Sequence, residues 1–172
     1  MAIREIDPSS DAEISLVAER MLDTLIEVEG PERGIGIHSL PWLKERVQWH
    51  LDPSQSQGQV FVATATDGHI VGHSLLRIEG RASDPFGLVA TTYIIPSARR
   101  SGWAGQFLER AHGWFREQGV NRSCTWTSGT NTALISLYRK FGYDMVDHGP
   151  HGSTGTPMVK LGRYIDDQQG AP

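Results

Sequence analysis

In the first third of the chain, apolar residues recur at three- and four-residue intervals. Ile14, Val17, Ala18, Met21, Leu22, Leu25 and Ile26 share one face of a helix predicted over 11–29, which Gly30-Pro31 stops. Ahead of it, Ile3 and Ile6 alternate with charged residues in AIREID, the period of a short edge strand, and Asp7-Pro8-Ser9-Ser10 makes a turn. GIGIHS reads as loop, and PWLKERVQWHL as a second helix with Pro41 in its first turn and Leu43, Val47 and Leu51 on one side. The period then changes. QVFVATAT and HIVGHSLLRIEG flank Asp67-Gly68, a pair suited to a tight turn, and predict two antiparallel strands. RASDPF reads as loop before GLVATTYII, a β-branched strand halted by Pro96.

A further amphipathic helix follows, with Ala104, Phe107, Leu108, Ala111, Trp114 and Phe115 inward and Gly119 as its stop. SCTWT is a short strand. NTALISLYRKFG is a helix whose apolar side carries Ala133, Leu134, Leu137, Tyr138 and Phe141. YDMVDH and TPMVKL predict two closing strands around GPHGSTG. The pattern fits one domain over 1–165, with the polar DDQQGAP as a frayed tail over 166–172. A chain of 172 residues with 38% hydrophobic side chains can bury one core.

Charge narrows the function. Sixteen Lys and Arg against twenty Asp and Glu give a net charge of -4, which argues against nucleic acid or an anionic membrane as the main partner. Cys124, the single cysteine, cannot form an internal disulfide. With no apolar run near membrane-spanning length and no signal pattern at the start, a cytoplasmic protein is expected.

The strongest chemical signal is PSARRSGWAG at 96–105, between the strand ending near Ile95 and the helix after Gly102. A helix start presents unpaired N–H groups and partial positive charge; Gly102, Ala104 and Gly105 keep the backbone open, and Arg99 and Arg100 add full charge. A diphosphate suits that place. The same residues also serve as punctuation, with the arginines in solvent, and spacing alone leaves both readings open. No Gly-x-Gly-x-x-Gly fingerprint and no Gly-Lys-Ser/Thr ending is present, so hydride transfer and NTP hydrolysis lose ground.

Ile95 to Ala104 resembles the acyl-CoA signature of the GNAT N-acetyltransferase superfamily, Arg/Gln-x-x-Gly-x-Gly/Ala after a strand and a proline. NTALISLYRKFGYDMV resembles the same family's Asn-x-x-x-x-x-Leu-Tyr-x-x-x-Gly-Phe/Tyr segment, and ATATDGHIVGHSLL its central hairpin. The resemblance implies an α/β (α+β) GNAT fold: a mostly antiparallel twisted sheet, splayed near Ile94, with helices on both faces, two of them before the central three strands. It implies acetyl-CoA as cosubstrate, no metal, and direct transfer of acetyl to a primary amine in a ternary complex; a longer acyl donor and a homodimer stay open. By position, Thr92, Tyr93 and Ile94 would pair with the pantetheine arm. Arg99, Arg100, Ser101, Gly102, Trp103, Ala104 and Gly105 would hold the diphosphate, and Asn131 would contact the cofactor arm. Tyr138 would approach the thioester sulfur. A phenol there can protonate a departing thiolate as general acid, although the same residue also reads as a core aromatic.

Two departures stand out. Where many family members carry a catalytic glutamate, this chain has Leu88 and Trp126. The general base is therefore unassigned, with His73, Glu79 and Asp84 as candidates. A module that binds acyl-CoA but has lost catalysis is the competing reading. Trp103 stands at a position usually filled by a smaller aliphatic residue and reads as a core anchor. The acceptor pocket is expected from the first two helices, their EGPERGIGIHSLPW connection and HGPHGSTGTP. Small amines, amino acids, aminoglycosides and protein N-termini all remain open as acceptors. His148 and His151 read as loop histidines rather than metal ligands, and Cys124 as a small strand residue.

Overall fold

A computed structural model describes residues 2–152 and 154–165; the tail expected over 166–172 lies outside the described residues. In chain order the elements are β1 (Ala2–Glu5), α1 (Asp11–Glu29), α2 (Pro31–Ile37), α3 (Leu40–Leu51), β2 (Gly58–Thr64), β3 (Ile70–Arg81), β4 (Asp84–Ile94), a 3-10 turn (Pro96–Ala98), α4 (Trp103–Glu117), β5 (Arg122–Ser128), α5 (Thr132–Lys140), β6 (Asp144–Pro150) and β7 (Pro157–Tyr164). The seven strands form one sheet in the order β1-β2-β3-β4-β5-β7-β6. Among the described residues, only β4 and β5, joined through α4, run parallel; every other neighbouring pair is antiparallel.

The structure departs from the sequence expectation in two places. GIGIHS is not a loop, because Gly34 and Ile37 belong to α2, so three helices precede β2 rather than two. Pro31 takes the first helical position, where its missing N–H costs nothing. Gly34 lets α2 lie directly against α1, since a Cβ there would stand 2.6 Å from the Ile26 nitrogen. RASDPF is not a loop either: β3 and β4 extend until Arg81 faces Asp84, so long-range pairing overrides the local turn signals.

Alternation along β2 divides the core. Val60 and Val62 pack under α1 and α3 with Val17, Met21, Leu43 and Val47, while Phe61 and Ala63 pack under α4 with Phe107, Leu108 and Phe115. At Gly87 β4 lies directly against α4, as a Cβ there would fall 2.4 Å from the Phe115 ring.

Candidate active site

β4 and β5 pair over only three residues, Gly87 to Val89 against Ser123 to Thr125. Beyond them β4 continues to Ile94 and β5 to Ser128, and the two strands part. The cause lies on the far side of β4. Leu75 pairs with Thr91 but Leu76 with Val89, so Ala90 is an extra residue in β4. Such a bulge bends its strand and raises the local twist. The splay therefore opens just after Val89, deeper than the position near Ile94 expected from the sequence. The Ile95 N–H donates to Val71 O at 3.0 Å, an ordinary ladder distance. By strand alternation the backbone groups of Tyr93 then face β3, while those of Thr92 and Ile94 face the gap.

At the open end of β4 the chain enters the 96–105 turn. Arg100 (φ 60) and Gly102 (φ 83) both adopt the left-handed conformation, which turns successive backbone N–H groups toward one side. Gly102 is the N-cap of α4 and no side chain caps this end. The first N–H groups of the helix are thereby left for an anion. Ser101 and Gly102 are exposed, Ala104 and Gly105 half-buried. Gly105 is small for packing reasons as well, since a Cβ there would lie 3.0 Å from Phe141 of the neighbouring helix end. Trp103 is 3% exposed and anchors α4 in the core, so only its backbone faces the turn. The Arg99 side chain, expected at the diphosphate, is hydrogen-bonded to β4 and α1. Its Nε donates to Ile94 O at 2.9 Å, and its Nη2 contacts both Glu27 oxygens at 2.7 and 2.9 Å. Its guanidinium lies over the Tyr93 ring, 5.6 Å from the ring centroid.

Tyr138 lies at the apex of the gap. Its hydroxyl has the Thr125 side chain as hydrogen-bonding neighbour, and Thr125 Oγ1 donates to Val89 O at 2.9 Å, at the last paired position of β4 and β5. The phenol is 2% exposed, and its ring meets Tyr143 edge-on at 4.7 Å. Burial raises its pKa well above the ordinary tyrosine value, so the proton stays on the oxygen through the neutral range. Tyr143 is held in turn by His112 and Ser123, each at 2.7 Å from its hydroxyl. Asn131 caps α5, its side-chain oxygen accepting the Leu134 N–H at 3.2 Å.

The three candidate bases sit in different surroundings. His73 is fully buried beside Arg20 and Tyr93, and burial lowers its pKa to about 3, which leaves a poor proton acceptor. Glu79 and Asp84 stand at the closed end of the β3–β4 hairpin, paired with Arg77 at 2.5 Å and Arg122 at 3.0 Å. Leu88 is buried, whereas Trp126 is 39% exposed. Cys124 is buried, and burial pushes its thiol pKa up. Among the described residues, no three His, Cys, Asp or Glu side chains converge.

On the side of the sheet opposite α4 and α5, the end of α1 and α2 meet the β6–β7 connection. Arg33 Nη2 donates to Thr154 O at 3.2 Å, and Thr156 Oγ1 donates to Glu29 at 3.2 Å. His38 stacks on Trp42 with ring centroids 3.7 Å apart. The segments expected to build the acceptor pocket are thus brought together. Four features had no readable signal in the sequence: the Ala90 bulge, the positive φ of Arg100, the Thr125 link to Val89 and the Arg33–Thr154 bridge. Each depends on a partner distant in the chain or on a turn conformation uncommon for its residue type.

A parallel pair forced apart by a bulge, with an amide-lined turn leading into the next helix, is the geometry of an acyl-CoA cleft. The family model described as "Acetyltransferase (GNAT) family" matches residues 22–143, and the chain belongs to that family. Among curated proteins, the aminoglycoside N(6')-acetyltransferase type 1 of Klebsiella aerogenes is 33% identical over 91 residues, covering 51% of this chain and 60% of that protein. A protein of the same description from Stenotrophomonas maltophilia is 25% identical over 96 residues, 53% of this chain and 63% of its own length. The match to these relatives thus spans about three-fifths of their length. In fold, the chain superposes on an aminoglycoside 6'-N-acetyltransferase complexed with coenzyme A (TM-score 0.73, 14% identity, covering 98% and 99% of the two chains). It also superposes on a GNAT acetyltransferase from Streptococcus pneumoniae (TM-score 0.72, 16% identity, 96% and 99%).

Proposed function

We propose that this protein transfers an acetyl group from acetyl-CoA directly to a primary amine, with aminoglycoside-like amino sugars as the acceptor class. The observation that carries the reading is Tyr138 beside Thr125, where β4 and β5 stop pairing, in a chain whose next turn ends at the uncapped start of α4. The diphosphate accepts backbone N–H groups between Arg100 and Gly105, and the pantetheine arm pairs with the gap-facing groups of Thr92 and Ile94 as an added strand. Arg99 supports this indirectly by holding Ile94 O and α1 together.

The chemistry follows from the protonated phenol. The amine nitrogen attacks the thioester carbonyl and a tetrahedral oxyanion forms. Its collapse breaks the C–S bond, and the thiolate takes the Tyr138 proton. The nitrogen releases its proton to water, and solvent reprotonates the phenolate. No carboxylate is needed at Leu88 or Trp126 if the amine arrives neutral. The acceptor class rests on the aminoglycoside acetyltransferases among the relatives.

The absence of a carboxylate at positions 88 and 126 favours one other reading, an acyl-CoA-binding module without turnover. Measuring CoA release from acetyl-CoA with aminoglycosides and simple amines separates the two. Turnover supports the transferase; tight acetyl-CoA binding with no release on any amine supports the binding module.

A further inference from the structure

We infer that Trp126 seats the acceptor, and that what rests on its indole face is the uncharged C–H face of a ring rather than an ammonium group. The inference builds on the proposed acetyl transfer to an amino sugar. Trp126 follows Thr125, the last β5 residue paired with β4, so it occupies the first position of β5 after the strands part. Thr125 is buried and adjoins Tyr138. By alternation, Trp126 projects from the opposite face of the sheet, the one that α1 and α3 cover at β2 and β3, and the inference places the acceptor on that face.

Its exposure is unusual for its surroundings. Cys124, Thr125, Thr127 and Ser128 are all at most 6% exposed, whereas Trp126 is 39% exposed. A large indole left open in the middle of a buried strand is surface available to a ligand. The core beneath α1 and α3 reaches across the sheet only as far as Ala90 of β4.

Charge then selects what can sit there. Lys160 is directly opposite Trp126 in register, with Nζ 5.9 Å from the indole and 4.4 Å from the Phe86 ring. A second cation on the same indole would meet this ammonium through a partly desolvated space. A saturated ring has no such penalty. Its C–H groups pack on the indole while its amines point beyond it, one toward the gap between the strands.

The test is acceptor binding, read by calorimetry on the CoA-bound protein and therefore independent of turnover. An aminoglycoside and a linear alkylamine are compared on the wild type and on Trp126→Ala, Trp126→Phe and Lys160→Met. Trp126→Ala is expected to weaken the aminoglycoside about tenfold or more, with CoA affinity and alkylamine binding unchanged, and Trp126→Phe to restore most of the loss. Lys160→Met is expected to tighten alkylammonium binding by a few fold, because the indole is then open to a cation. Unchanged aminoglycoside affinity in Trp126→Ala, or equal loss for both amines and CoA, overturns the role of Trp126. Alkylammonium binding unaffected by Lys160→Met overturns the charge selection. Aminoglycoside binding that depends on Trp126 without any acetyl transfer upholds this inference while removing the proposed activity.

Discussion

Replacing Tyr138 with Phe separates chemistry from packing. The ring is 2% exposed and packs edge-on against Tyr143 at 4.7 Å, and Phe keeps both features. Only the hydroxyl is lost, together with its interaction with Thr125, which itself remains bonded to Val89 O. A neutral buried hydrogen bond contributes about 0.5–1.5 kcal/mol, which for a domain of this size lowers Tm by about 2–6 °C. Losing a general acid costs about 10²–10⁴-fold in kcat. The expected result is therefore a large fall in kcat with a small fall in Tm and little change in acetyl-CoA binding. The pH profile adds a sign. Because burial raises the phenol pKa, the wild type should show no loss of activity from deprotonation of this acid as pH rises through 7 to 9. Thiol release measured across that range on both proteins is the assay. Equal turnover of wild type and Tyr138→Phe at every pH would refute the assignment, and so would a collapse of Tm that accounts for the lost activity.

Three further outcomes follow from the geometry. His50, His73 and His112 are buried neutral with pKa lowered by burial to about 4, 3 and 4, so unfolding takes up protons once pH falls below the ordinary histidine value. Stability should be flat above pH ~6.5 and fall below it toward pH ~4, by up to about 4 kcal/mol per pH unit if all three titrate, as urea denaturation at a series of pH values would show. Gly87→Ala should destabilise by about 1–3 kcal/mol, seen as a lower Tm, because the new methyl would meet the Phe115 ring at 2.4 Å in a packed layer. Gly102→Ala has room for its methyl, with the nearest atom at 3.7 Å, but strains a left-handed residue by about 1–2 kcal/mol. Relaxation of the free turn out of the left-handed conformation relieves that strain and binding must restore it, so a titration should show acetyl-CoA affinity weaker by about 5- to 30-fold with the core intact.

The sequence alone carried the periodic elements and the donor signature. α1, α3, α4 and α5 were legible because their apolar faces repeat at the helical period. The turn at 96–105 was legible because proline, arginine and small residues stand at fixed spacing within one short segment. Asn131 and Tyr138 were singled out by the resemblance of their segment to the GNAT family, and they stand as the cap of α5 and a residue within it. These are local properties, set by residues close in the chain.

What failed to show in the sequence depends on contacts between distant residues. α2 needed Gly34 against the α1 backbone, and the long β3–β4 hairpin needed ladder pairing to override RASDPF. The bulge at Ala90 exists only as a mismatch of register between two strands, yet it sets the depth of the gap. Side-chain environment is equally nonlocal: Arg99 pairs with Glu27 on α1, 72 residues away, and His73 is fully buried, which lowers its pKa to about 3. The sequence determined the glycine- and arginine-rich start of α4 and the placing of Tyr138 in α5 seven residues after its Asn131 cap. Only the tertiary structure decided that the tyrosine meets the strands where they part, and that Trp126 opens on the other side, because register, burial and face arise from packing across the sheet.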